Sequence, residues 1–323
     1  MSRKVLDKIT MGQTWTSYIG SVDGILRGAG LWDEELYRLM GMTGMAFHFI
    51  VHRTACPSST TVYDWANEHF TAMDRIGVHS DLYNITNDSG LNTFKSLQKD
   101  AISRIKESID KGIGVVAWAP TYVLEFGIIK GYDDDDGVFI VDGCGVEEAD
   151  PLLYSNLGKA DVPILSYQIF KDRIAVDREK IFRDSLQFGV QEWKKTYHMS
   201  PDYASGLLGY HNLISTLERG DFNEFGLAYL LGVYADSKDC LAKYTDYIAS
   251  YSSSLKGLDE TARLYTEISR LYHHLTKLVP FSGVNGHGCN VNKSNIPEVL
   301  KTVIACRDLE EKAIKAIENA LQL

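Results

Sequence analysis

Leu124-Glu-Phe-Gly-Ile-Ile-Lys-Gly131 and Val138-Phe-Ile-Val-Asp142, separated by the acidic stretch Tyr132-Asp-Asp-Asp-Asp-Gly137, read as two β-strands joined by a tight turn. Both runs are apolar and too short for a stable helix. Each also carries a carboxylate, Glu125 at the head of one and Asp142 at the end of the other, and a charge inside an apolar run must find a partner or remain costly. Working outward, Ile113-Gly-Val-Val-Ala-Trp-Ala119 reads as a strand before the pair, and 162–170 as a strand after it. Ahead of these strands the pattern is helical. Ser17–Gly28 is a helix closed by glycine, followed by helices over 33–40, over 58–76 with Val62, Trp65, Phe70 and Met73, and over 96–111 with Leu97, Ile102, Ile105 and Ile109. Helices first and hairpin-linked strands later define an α+β class with an antiparallel sheet, rather than a doubly wound parallel one.

Beyond 176 the β signal stops. Helices are predicted over 178–197, from Ser200-Pro201 to Gly220, and over 221–252, 259–278 and 296–321, with a Gly- and Asn-rich loop at 280–290 that carries His287 and Cys289. The predicted organisation is therefore a mixed domain, 1–175, followed by an all-α domain, 176–323. Tyr229, Tyr234, Tyr244, Tyr247, Tyr251, Tyr265 and Tyr272 lie in the helical half. They are read either as core tyrosines with bonded hydroxyls or as the lining of a groove or homodimer surface.

Charge and cysteine usage exclude several classes. A net charge of −10 leaves no excess of Lys and Arg to neutralise phosphates, so neither nucleic acid nor an anionic membrane surface is an expected partner. The charged N-terminus lacks the apolar run of a secretory signal and no membrane-length stretch follows, so a cytoplasmic protein is expected. The cysteines Cys56, Cys144, Cys240, Cys289 and Cys306 are dispersed and odd in number, the pattern of free thiols rather than of disulfides or a zinc knuckle. His48 and His52 share a strand face near Cys56 but have no third ligand in sequence, so no metal or other cofactor is expected. His273 and His274 are adjacent on a helix and point apart.

Residues 10–170 resemble the C39-like branch of the papain-like cysteine peptidases, and more narrowly the N-terminal domain of the butirosin biosynthesis protein H family. The resemblance rests on Ser17-Tyr-Ile-Gly-Ser-Val-Asp-Gly-Ile-Leu-Arg-Gly-Ala-Gly30, on Leu39-Met-Gly-Met-Thr-Gly-Met-Ala-Phe47, on Glu125-Phe-Gly-Ile-Ile-Lys-Gly-Tyr-Asp133 and on Val141-Asp142-Gly143. In that family a catalytic Cys opens the first helix, and a catalytic His begins the strand that runs into Gly-Tyr-Asp. The resemblance places Ser17 at the Cys position, with Thr14 or Thr16 as the equivalent if the match slips. It places Glu125 at the His position and Asp142 at the third position. Gln13 stands in for the oxyanion-hole Gln, although it lies closer to Ser17 than the family spacing has it. Gln13, Thr14, Thr16 and Tyr132 are the ligand-binding residues it implies.

These replacements change the chemistry. A thiolate is stabilised by a helix N-terminus and a neighbouring imidazolium, whereas a serine hydroxyl needs a base at the moment of attack, and a carboxylate is a weak one. The helix start still offers free N–H groups and a positive dipole end beside three hydroxyls. The expected protein is thus a catalytically altered papain-like domain that binds a small molecule or an acyl or peptide-like group. Two alternatives stand beside it: a working acyltransferase or amide hydrolase that uses Ser17 or a relocated Cys56 or Cys144, with His52 or His69 as partner of Cys56, and a dimeric scaffold protein.

Overall fold

The computed structural model describes residues 2–88, 90–196, 200–283, 289 and 291–323. In chain order its first elements are β1 (Arg3–Val5), α1 (Ser17–Gly28), α2 (Leu36–Met42), β2 (Ile50–His52), α3 (Trp65–Arg75), β3 (Val78–Thr86) and α4 (Phe94–Asp110). Strands β4 (Val115–Trp118), β5 (Phe126–Asp133), β6 (Val138–Gly143), β7 (Leu152–Leu153) and β8 (Ile164–Arg173) follow. The remainder is α5 (Arg178–Lys194), β9 (Tyr203–Ser205), α6 (Gly206–Arg219), α7 (Glu224–Tyr251), α8 (Leu258–Leu278) and α9 (Ile296–Leu321). The chain is α+β, and its C-terminal part is helical. Among the described residues no helix is long and apolar enough to cross a membrane.

Two compact units result, one of Met1–Leu36 with Trp65–Ala175, the other of Tyr37–Asp64 with Val176–Leu323. The division near 175 is where the β signal ends, but residues 37–64, read from the sequence as part of the first domain, belong to the second. Apolar packing on large rings takes them there. A Cβ on Gly41 would fall 2.1 Å from the Tyr244 ring, and one on Gly189 would fall 2.5 Å from the Phe47 ring, so each glycine makes room for an aromatic side chain.

Among the described residues of the first unit, seven antiparallel strands form a sheet in the order β3-β8-β4-β5-β6-β7, with β1 also on β5. Strand β4 pairs with β5 over Phe126–Ile129, and β1 takes over at Gly131, where a Cβ would meet the Lys4 carbonyl at 2.6 Å. Alternation along the strands sorts the two faces. Val115, Ala117, Ile129, Phe139 and Leu165 pack with Phe94, Ala101, Ile105 and Ile109 of α4, while Ile128 points at α1.

Three elements differ from their sequence reading. The expected helix over 58–76 is a 3-10 turn at Pro57–Thr61 and then α3, and the nine residues of β3 were not read as a strand. Strand β3 is only part-buried and mostly polar, so it gains its conformation from pairing along β8 rather than from its own pattern. Ser200-Pro201 does not start a helix either. Tyr203–Ser205 pairs with β2, and α6 begins at Gly206, whose φ of 52° and close approach to the Trp193 backbone suit glycine.

Candidate functional site

Helix α1 opens at Thr16, which is extended (φ −89°, ψ 95°) and makes no side-chain cap, so the first-turn N–H groups that a cap would satisfy are left to other partners. Ser17 is 4% exposed. Its Oγ donates a 2.6 Å hydrogen bond to Glu125 Oε2 and accepts one from the Phe126 N–H at 3.3 Å. The start of the first long helix and the head of β5, 108 residues apart in the chain, therefore meet through one hydroxyl.

Their following residues lock this meeting. Tyr18 stacks on His69, with centroids 3.5 Å apart and planes 4° off parallel, and Phe126 meets Tyr18 and His69 edge-on at 5.7 and 4.9 Å. Trp65 and Trp118 close the group against Phe126 at 4.8 and 5.2 Å. The Tyr18 hydroxyl donates to Gln168 Oε1 at 2.8 Å, Gln168 in turn donates to Ser80 Oγ at 2.9 Å, and burial keeps the phenol proton on well above its ordinary range. Such ring pairs restrict both chain segments to one register.

Beside the helix start lies a cavity of about 500 Å³, walled by residues 10–14 on one side and 142–147 on the other. The first wall lies directly on α1 because Gly20, Gly24 and Gly28, four residues apart, clear one stripe of the helix. A Cβ on Gly24 would be 1.9 Å from the Thr10 carbonyl oxygen, one on Gly20 would be 3.0 Å from that of Gly12, and one on Gly28 would be 2.5 Å from Ile9 Cγ1. The Gly12 N–H donates to the Gly20 carbonyl at 2.8 Å. Asp23, on the same helix, is paired with Arg27 at 2.8 Å, and burial raises its carboxyl above the usual range. Thr14 Oγ1 accepts the Thr16 N–H at 3.2 Å.

The second wall begins at Asp142, which accepts the Met11 N–H at 3.2 Å and the Gly143 N–H at 2.9 Å and lies 3.6 Å from Lys130 Nζ. Lys130 sits where the β5–β6 register slips by one residue. Asp142 therefore fastens the two walls to each other. Cys144, two residues on, lines the cavity, and burial, with the charge of Glu125 adding to it, pushes its thiol up to about 11.

Of the residues singled out in the sequence, Ser17 and Glu125 are in direct contact, and Gln13, Thr14 and Asp142 line the adjoining cavity. Thr16 is the residue before the helix. Tyr132 is not at the cavity. It is 5% exposed in the core beneath α4, with its hydroxyl on Asp110 Oδ1 at 2.8 Å, because six residues of extended strand carry it about 20 Å from Phe126. His52 Nδ1 engages Thr54, and Cys56 Sγ lies 3.0 Å from Ser58 Oγ, so neither is turned toward the other. His287 lies outside the described residues. Among the described residues no three His, Cys, Asp or Glu side chains converge as metal ligands. The sequence reading missed the glycine stripe and the ring cluster around His69. The stripe had a signal, three glycines at a spacing of four, whereas the rings come from four separate elements and had none.

Fold and site together define an α+β unit with a part-buried serine–carboxylate contact at a helix start, beside a polar cavity. In sequence the chain matches no protein-family model and no curated protein.

Proposed function

We propose that the first unit is a catalytically altered papain-like domain of the C39-like, butirosin H type, and that its cavity binds a small molecule or an acyl or peptide-like group without turning it over. The observation that carries this reading is the 2.6 Å bond from the Ser17 hydroxyl to Glu125. The single hydroxyl proton is committed to a carboxylate. Attack would require that carboxylate, a weaker base than an imidazole, to accept a proton from an alcohol. The thiol route is no better. With its pKa near 11, roughly one Cys144 thiol in ten thousand is ionised at pH 7. The Gln13 amide, the Thr14 hydroxyl and the Asp142 carboxylate, by contrast, are polar groups of residues set around a volume that suits a small ligand.

A working acyltransferase or amide hydrolase is the second reading, favoured by the same 2.6 Å contact, since a nucleophile and base must lie within hydrogen-bond reach. The two readings separate in one experiment. The folded chain is treated with a fluorophosphonate and with a short-chain acyl thioester, and adducts are mapped by mass spectrometry, while N-acetyl amino-acid amides are titrated by thermal shift against the wild type and Gln13→Ala. Binding that Gln13→Ala weakens at least tenfold, with Ser17, Cys56 and Cys144 unlabelled, is the expected result. Stoichiometric acylation of any of the three overturns the binding reading in favour of the enzyme.

A further inference from the structure

The second unit holds a buried ion pair that the cavity of the first does not use. Lys238 of α7 has no exposed surface, Glu310 of α9 is 3% exposed, and the ammonium donates to Glu310 Oε1. Glu310 Oε2 accepts the Tyr210 hydroxyl of α6 at 2.8 Å, and Oε1 is reached by the Tyr265 hydroxyl of α8 at 3.5 Å. Tyr272, also of α8, lies 3.0 Å from the Tyr210 hydroxyl. One carboxylate thus gathers donors from three other helices. The Lys238 ammonium also sits 5.3 Å from the centroid of Phe49, whose ring stacks on Tyr210 at 4.2 Å and leans on Tyr234 at 4.5 Å.

Phe49 opens the segment 49–52, which the helical unit takes in from the earlier part of the chain. Its backbone is tied down at each residue but the last by a partner in α6 or α7. The Gly206 N–H donates to the Phe49 carbonyl at 2.9 Å, the Ile50 N–H to the Tyr234 hydroxyl at 3.0 Å, and Asn212 Nδ2 to the Val51 carbonyl at 2.8 Å. We infer that the Lys238–Glu310 pair, with its tyrosines, is a latch that specifies the seating of residues 49–52 in the helical unit and that it contributes specificity rather than net stability. Apolar side chains on four helices repack in several registers at similar free energy. A carboxylate that must receive an ammonium and two phenols is satisfied in one. Desolvating both charges offsets most of their attraction, so an apolar pair of similar size holds the helices together as well but leaves Phe49 without its cation.

The test uses full-length Lys238→Met, Glu310→Met and the double variant, read by the urea midpoint and by amide exchange of the peptide covering 49–52. Each single variant leaves one buried charge unpaired, and a lowered midpoint with at least tenfold faster exchange at 49–52 is expected. The double variant is expected to regain the midpoint while its 49–52 amides still exchange at least tenfold faster than in the wild type. Wild-type exchange in the double variant, a double variant as unstable as the singles, or singles that change neither quantity each overturns the inference.

Discussion

Ser17 carries two hydrogen bonds on one oxygen, one given to Glu125 and one received from the Phe126 N–H. Glu125 would lose a donor and the Phe126 N–H its acceptor if the hydroxyl were removed. Ser17→Ala should therefore cost about 1–2 kcal/mol in urea unfolding, the loss of two part-buried hydrogen bonds, while Glu125→Gln, which keeps an oxygen within reach of the hydroxyl, should cost less than about 1 kcal/mol. Equal losses for the two would mean that charge, not hydrogen bonding, holds the contact. Cys144 makes a pH-dependent contribution. Its thiol is raised from 9.0 in the unperturbed state to about 11 in the fold, so the unfolded chain gives up that proton first as pH rises. The contribution is complete below about pH 9 and is lost as pH passes through 11, amounting to about 2 kcal/mol across that window. Comparing wild type with Cys144→Ala at pH 8 and pH 11 isolates it, and the variant should lose less stability over the interval. Glu125 and Asp142 were legible as unusual residues because carboxylates in apolar runs demand partners. That Asp142 serves the backbone of Met11, rather than a catalytic partner, was not legible, since a loop's path leaves no periodicity.

Helix α1 shows what sets the shape of the cavity at the next scale up. Its bounds were readable from a helical pattern and a closing glycine, and the structure has them at the same residues. What α1 does for the site depends instead on the absence of side chains along Gly20, Gly24 and Gly28, which lets residues 9–14 run at backbone contact distance. Helical glycine costs about 1 kcal/mol relative to alanine, so an alanine that fitted would stabilise the helix. At Gly24 it does not fit, because the obstruction is the Thr10 carbonyl, a backbone atom that cannot rotate away. Gly24→Ala should destabilise by about 2–3 kcal/mol, in the range of overpacked cores, and should speed amide exchange at residues 10–14. A stability equal to or above wild type would show that the wall yields to a methyl group and is not fixed by the stripe. The misread elements share a cause. Strand β3 and β9 are mostly polar or very short, and they are strands because β8 and β2 offer them edges, a relation between distant segments that no local window contains.

At the scale of the whole molecule the chain passes from the first unit into the second at residue 37, returns at 65, and leaves again at 176. The class was legible, because helices, a hairpin-linked sheet and a helical tail have distinct periodicities. The excursion was not, because Leu39-Met-Gly-Met-Thr-Gly-Met-Ala-Phe47 reads as an apolar, glycine-rich stretch that could pack on either unit. Gly41 acquires meaning only beside Tyr244, and Phe47 only beside Gly189 and Tyr265. If the division follows packing rather than chain order, the amides of 45–52 should gain and lose protection with α7 and α9, even though residues on both sides of the excursion belong to the sheet unit. Two unit-specific perturbations decide it. Lys238→Met weakens the helical unit and should accelerate exchange over 45–52 together with α9, leaving β4 and β5 as protected as in wild type. Gly24→Ala weakens the sheet unit and should do the reverse. Exchange over 45–52 that follows Gly24→Ala instead would return this segment to the first unit and remove the basis for a division at residues 37 and 65.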